Sequence, residues 1–279
     1  WDAVIESKHT LLDLNLKELW HYRDLLVLFV RRDFVTVYKQ TILGPLWFFI
    51  QPILTTITFT IIFGNVAQLS TDGAPKLVFY MAGITLWNYF STCLTNVSGV
   101  FNANASIFGK VYFPRLIMPL SIVISNLIRF GVQFLLFVFY MIYFNYKGAD
   151  FGMTSAAFLF PYIVFLMALL GMGLGLIVSA MTTKYRDLSF LVAFGVQLLM
   201  YISAVMYPMA LIKEKMPNLA WLVEYNPLAY VIETSRYMLL GIGDVSLFGV
   251  LYVVGITTFI FFFGLLIFNK TEKNFIDTV

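Results

Sequence analysis

Six stretches of this chain are apolar for long enough to cross a lipid bilayer as helices: Pro45 to Phe63, Leu77 to Val97, Leu116 to Phe144, Phe158 to Met181, Leu188 to Tyr207 and Val245 to Phe268. Each approaches or exceeds the roughly 20 apolar residues that cover the hydrocarbon core at the rise of a helix. In lipid every backbone N–H and C=O must be satisfied within its own segment, so runs of this length specify helices. The composition agrees, with 60% of the 279 residues hydrophobic and 12% charged, against about 45–50% and about 25% in soluble domains. The chain is therefore read as an all-α integral membrane protein with six transmembrane helices. An even number of crossings places both termini on one side. The third stretch exceeds a span and is expected to begin as a non-spanning segment near Pro119.

Lysine and arginine placement sets the orientation. Residues 1–44, the connections after the second and fourth stretches and the tail together hold twelve, among them Arg31, Arg32, Lys39, Lys110, Arg115 and Arg186. The opposite side holds five: Lys76, Lys147, Lys213, Lys215 and Arg236. Both termini are thus predicted to be cytoplasmic. The opening residues are too charged for a signal peptide. The organisation is a cytoplasmic N-terminal segment (1–44), a transmembrane domain (45–268) and a cytoplasmic tail (269–279). In the first, Leu19, Tyr22, Leu26, Phe29 and Val30 recur at helical spacing, with His21, Asp24, Arg31 and Arg32 on the other side. That pattern reads as a helix lying in the membrane interface, a soluble subdomain helix or plain lipid anchor being the alternatives. Residues 208–244 are apolar and aromatic but interrupted by Pro217, Asn226 and Pro227. Proline breaks a helix, so two short re-entrant pieces in the outer leaflet are expected over about 208–240, against an ordinary amphipathic loop.

Several chemistries are excluded. Cys93 is the only cysteine, His9 and His21 are the only histidines, and no HExxH, CxxC or GxSxG string occurs, so no metal site and no hydrolase nucleophile is expected. The net charge of +3 identifies no partner, and the composition disfavours nucleic-acid binding. All fifteen carboxylates fall outside the six stretches, which argues against a transporter coupled to ions through membrane acids. Arg129 is the exception, an intramembrane cation one turn from Asn126 and Gln133 on one helical face. Two readings stand: contact with an anionic substrate, or an internal brace. Gly171, Gly173 and Gly175, followed by Ser179 and Ala180, predict close helix packing, within one subunit or at a dimer face. Aromatics gather in the first and second stretches, Trp47, Phe48 and Phe49 and then Tyr80, Trp87, Tyr89 and Phe90, with Asn88, Ser91 and Thr92 beside them. They suit sugar rings or, equally, an interface belt.

Residues 22–52, YRDLLVLFVRRDFVTVYKQTILGPLWFFIQP, resemble the N-terminal signature of permease subunits of polysaccharide-exporting ABC transporters, those for O-antigen, teichoic acid and capsule. KVYFPRLIMPLS (110–121), YRD (185–187), SAVMYP (203–208) and YNPLAYVIETSRYMLLG (225–241) extend the resemblance over nearly the whole chain. It implies a homodimer of six-helix subunits with two copies of a separate ATPase, and a lipid-linked glycan as substrate. The chain lacks a phosphate-binding loop, since Asn104 stands where its first glycine would be and Lys110 is followed by Val111. It is therefore expected not to be an enzyme and to hold no catalytic residue or cofactor, ATP and Mg being bound by the partner.

The resemblance implies roles residue by residue. A coupling helix maps onto 102–115, with Asn104, Lys110, Tyr112, Phe113, Pro114 and Arg115, and Arg186 and Asp187 join the ATPase-facing set. Arg31, Arg32, Asp33, Tyr38 and Lys39 form the interface surface, where the two arginines would meet a lipid diphosphate. A channel between subunits would be lined by Trp47, Gln51, Tyr80, Trp87, Tyr89, Phe90, Arg129 and Tyr201. The outer gate would hold Pro208, Trp221, Asn226, Pro227, Arg236 and Tyr237. Competing readings are an ABC permease for a drug, haem or lipid, a multi-pass glycosyl or acyl transferase around Asp187 or Glu233, and a passive channel.

Overall fold

The computed structural model describes residues 16–39, 42–108, 110–185, 187–243 and 245–275, and it contains helices and turns without a strand among them. In chain order the helices are α1 (Leu16–His21), α2 (Arg23–Tyr38), α3 (Trp47–Phe59), α4 (Lys76–Ser98), α5 (Val100–Phe108), α6 (Ile117–Tyr146), α7 (Phe160–Lys184), α8 (Leu188–Ile202), α9 (Met209–Lys215), α10 (Ala220–Glu224), α11 (Pro227–Leu240) and α12 (Leu247–Phe275). Among the described residues five segments are long and apolar enough to span: Trp47–Val66, Lys76–Ser98, Ile117–Tyr146, Ser155–Lys184 and Leu247–Thr271.

The fifth predicted stretch does not reach that length. α8 has 15 residues, about 22 Å at 1.5 Å per residue, short of the ~30 Å hydrocarbon core. It stops because Ala204 takes a left-handed φ of 53° and the Ser203 hydroxyl donates to the Leu199 carbonyl at 2.6 Å. The apolar run continued through this turn, so hydropathy alone overcounted the helix. The third stretch differs in the opposite way. α6 runs unbroken from Ile117, with Pro119 in its first turn, where the missing N–H has no intrahelical partner to lose. α3 carries Pro52 inside it and widens into a π-helical turn over Thr60–Val66. Hydroxyls of Thr55, Thr58 and Thr60 donate to carbonyls four residues back, a bonding pattern that bends helices.

α4 and α7 form the centre. In their most apolar windows 78% and 67% of residues are buried, against 17% in α3, 28% in α6 and 22% in α12. The α7 glycines explain how the centre closes. Gly171 and Gly175 sit one turn apart against α4: a Cβ at Gly175 would lie 2.7 Å from the Cβ of Val97, and one at Gly171 would lie 3.1 Å from the Phe90 carbonyl oxygen. Gly173 points the other way, where a Cβ would meet the Phe261 backbone at 2.8 Å, and a Cβ at Gly264 would overlap the Gly173 carbonyl. The small residues therefore pack α7 between α4 and α12 within one subunit. Thr182 ties the same contact, its hydroxyl donating to the Ser98 carbonyl at 2.9 Å.

α3 and α8 are peripheral by contrast. α8 has no buried residue, and α3 buries only Pro52 and Thr56.

Candidate functional site

Two surfaces and one buried cluster hold the residues singled out by sequence. The first surface is the turn between α5 and α6. α5 is kinked at Asn104 (φ −117°, ψ 15°), and the Asn104 amide turns inward to donate to the Val100 carbonyl at 3.0 Å. Phe113 and Arg115 are buried as well. Phe113 lies 5.8 Å from both Phe29 and Phe108, and the Arg115 guanidinium stands over the Phe108 ring at 5.4 Å. Lys110, Val111 and Tyr112 are exposed, Tyr112 by 60%. The predicted coupling set is thus split: Asn104, Phe113 and Arg115 shape the turn from inside, and Lys110 and Tyr112 face outward beside the half-buried Pro114. Asp187 is exposed at the start of α8, and Arg186 lies outside the described residues.

The N-terminal helices belong to this surface. Leu19, Tyr22, Leu25, Leu26 and Phe29 pack on the protein core, and α2 lies along α6. The apolar stripe predicted to face lipid is therefore largely spent on protein. Arg32 is engaged, with its guanidinium 4.8 Å over Phe29 and 2.8 Å from the Asp33 carboxylate, while Arg31 and Lys39 remain exposed. The Tyr38 side chain lies outside the described residues.

Of the predicted channel residues, Trp47, Gln51 and Tyr201 are exposed, on α3 and α8. Tyr80, Trp87, Tyr89 and Phe90 are not: their helix is the centre of the bundle, and they are between 0% and 5% exposed. Tyr89 packs on Phe130 at 5.3 Å and Trp87 on Phe90 at 5.6 Å. They are core residues of the single subunit, because α6, α7 and α11 cover the faces that sequence reasoning assigned to a channel. Arg129 is half-buried, its guanidinium 5.6 Å over the Phe48 ring, on a polar pocket between α3, α4 and α6.

The buried cluster joins two motifs far apart in sequence. Arg236 on α11 is 1% exposed. One terminal nitrogen donates to the Ala204 carbonyl at 2.8 Å and the other to the Val205 carbonyl at 2.7 Å. Its guanidinium covers the Phe79 ring at 3.8 Å and lies 3.5 Å from Glu233. Glu233 in turn accepts the Met209 backbone N–H at the start of α9. The cation thus meets the carbonyls of the turn that follows α8, and the anion faces the start of α9. Burial pushes the Glu233 carboxyl above its ordinary range, against the pull of Arg236, and burial lowers Arg236. Asn226 adds a second tie: its amide donates to Ser203 Oγ at 3.0 Å while its carbonyl oxygen caps the Leu228 N–H at 3.0 Å. Gly83 on α4 makes room, since a Cβ there would lie 2.8 Å from both Arg236 and the Val205 carbonyl.

Sequence reasoning placed Arg236 with the outer gate and counted it among charges of the outer side; the structure buries it completely. Glu233 three residues before Arg236, in a largely apolar helix, was the available signal, because i and i+3 share a helical face. Pro208 and Asn226 are buried beside it, whereas Trp221 and Tyr237 are exposed.

The sequence signature of the family described as ABC-2 type transporter matches residues 24–240. This chain belongs to that family. The matched region of the ABC-2 fold begins in α2 and closes on the last residue of α11, so the Arg236 cluster and the α5–α6 turn both lie inside it. Among relatives, the chain is 30% identical over 268 residues to the O-antigen export system permease protein RfbA of Klebsiella pneumoniae, covering 95% of this chain and 99% of that protein. The protein of the same name in Myxococcus xanthus is 26% identical over 222 residues, 79% of this chain and 82% of its own length. The polysialic acid transport protein KpsM of Escherichia coli is 24% identical over 208 residues, 74% of this chain and 77% of its own.

Proposed function

We propose that this ABC-2 permease exports an O-antigen-like, lipid-linked polysaccharide across the cytoplasmic membrane. The observation that carries this reading is the near end-to-end match to an O-antigen export permease. Two copies of the chain enclose the path, since α3 and α8 each leave a broad unburied face. A separate ATPase, two copies per dimer, binds ATP and Mg and supplies the energy. It seats on the cytoplasmic surface formed by the α5–α6 turn, with Lys110 and Tyr112 as contacts, and by α2, with Arg31 and Lys39 at the lipid interface. Both termini are cytoplasmic.

In this reading ATP binding closes the ATPase dimer and tilts α2 and the α5–α6 turn. The tilt opens the space between opposed α3 and α8 helices, and α8 acts as the sixth, incomplete crossing. The helices α9 to α11 form the re-entrant outer gate, pinned to the end of α8 by Arg236 and Asn226.

Affinity purification of the full chain from its native membrane, with mass spectrometry and ATPase assay of the eluate, tests the proposal. A co-purifying Walker-containing subunit in near-equal amount, together with loss of surface polysaccharide on deletion of the gene, is expected. Recovery of the chain with no ATPase, and unchanged surface polysaccharide, overturns it.

A further inference from the structure

Arg129 stands midway along the largely apolar α6, and a lone cation in hydrocarbon is expensive. Among the described residues no carboxylate pairs with it. It opens instead on a cavity of about 230 Å3 whose wall carries the amides of Gln51, Asn88, Asn126 and Gln133. Asn88 and Gln133 bond each other across the back at 3.3 Å, which fixes their amides without using the guanidinium. Trp47 and Phe48 border the opening, and Trp47 and Gln51 are exposed. These two belong to the first turns of α3, so the opening lies towards the start of that helix.

A guanidinium with several amide N–H donors around it is the arrangement that binds a phosphoryl oxyanion. A cavity of about 230 Å3 suits one headgroup and is far too small for a glycan chain. We infer that the Arg129 pocket binds the phosphoryl head of a membrane-anchored lipid, with Arg129 as the counter-ion. The assignment rests on the exporter reading only for which lipid is meant. The same phosphoryl chemistry is offered by a polyprenyl diphosphate carrier and by an ordinary anionic phospholipid.

Native mass spectrometry of the purified full chain, incubated in micelles with a long-chain polyprenyl diphosphate, the corresponding polyprenol, or phosphatidylglycerol, separates these. Saturable binding of the diphosphate at least about tenfold tighter than the polyprenol is expected, retained in Arg129→Lys and weakened about tenfold or more in Arg129→Gln. Gln51→Trp, at the exposed mouth, fills the pocket without touching a buried group and is expected to weaken binding likewise, even should Arg129→Gln fail to fold. Phosphatidylglycerol binding as tightly, with the same dependence on Arg129, supports the pocket and names a phospholipid as its ligand. Equal binding of the polyprenol, or binding of the diphosphate unchanged in Arg129→Gln and Gln51→Trp, overturns the inference. These outcomes are read on the isolated chain, so they stand apart from the exporter reading, which fails if no ATPase co-purifies.

Discussion

At the residue scale Arg236 carries the sharpest expectation. Its guanidinium is bonded to the Ala204 and Val205 carbonyls in the turn after α8, stacked on Phe79 and paired with Glu233. Removing one partner of such a buried pair leaves an uncompensated charge, a loss of about 3–5 kcal/mol. Arg236→Met should therefore lower the unfolding temperature of the detergent-solubilised chain strongly. Adding Glu233→Gln should restore part of the loss, because the stranded carboxylate is gone; additive losses in the double variant would refute the coupling. The α5–α6 turn separates by exposure in the same way. Phe113→Ala empties a buried site and should cost about 3–5 kcal/mol of stability. Tyr112→Ala, at an exposed position, should leave unfolding unchanged and reduce ATPase co-purification, and a drop in stability there would show that Tyr112 is structural.

At the element scale, one helix start was legible, at the proline that opens α11, whereas the end of α8 and the partners of the helices were not. The Asn226-Pro227 pair opens α11 and Gly241, at φ 71°, closes it, as capping chemistry dictates. The Gly171-Gly173-Gly175 run announced close packing, and spacing explains the rest: residues two apart point to different sides of a helix, so the run serves α4 and α12 at once. Gly175→Leu should force α4 and α7 apart, costing about 1–3 kcal/mol or more, and it should broaden the thermal transition or abolish monodisperse extraction. Gly195→Leu on α8, where nothing lies within 4 Å, is the matched control and should leave unfolding as in the parent chain. Equal effects at both would mean that the α4–α7 contact does not govern stability. The amphipathic N-terminal stripe was also readable, but periodicity records only that one face is apolar. It does not distinguish lipid from the core that Leu26 and Phe29 meet.

At the scale of the whole molecule, the outward faces of α3 and α8 are where a second copy is expected. Replacing the buried Cys93 and placing single cysteines at Ile57 or Leu198, both exposed, should give cross-linked dimers with a short bis-maleimide. A cysteine at Leu135, on the exposed side of α6, should not. Equal cross-linking at all three positions would remove α3 and α8 as the interface. The sequence by itself determined the membrane class, the helical backbone, the approximate position of each long helix and, through its motifs, the family, because lipid admits only internally bonded segments and local caps and apolar runs are written locally. Only the tertiary structure decided which of those helices are central. The resemblance assigned Tyr80, Trp87 and Phe90 to a channel, yet within the single subunit they are core, since burial depends on the helices that happen to cover them. It also decided that Arg236 is internal and that α8 ends early, because the Ser203–Pro208 turn is held by a side chain 32 residues away from Ala204.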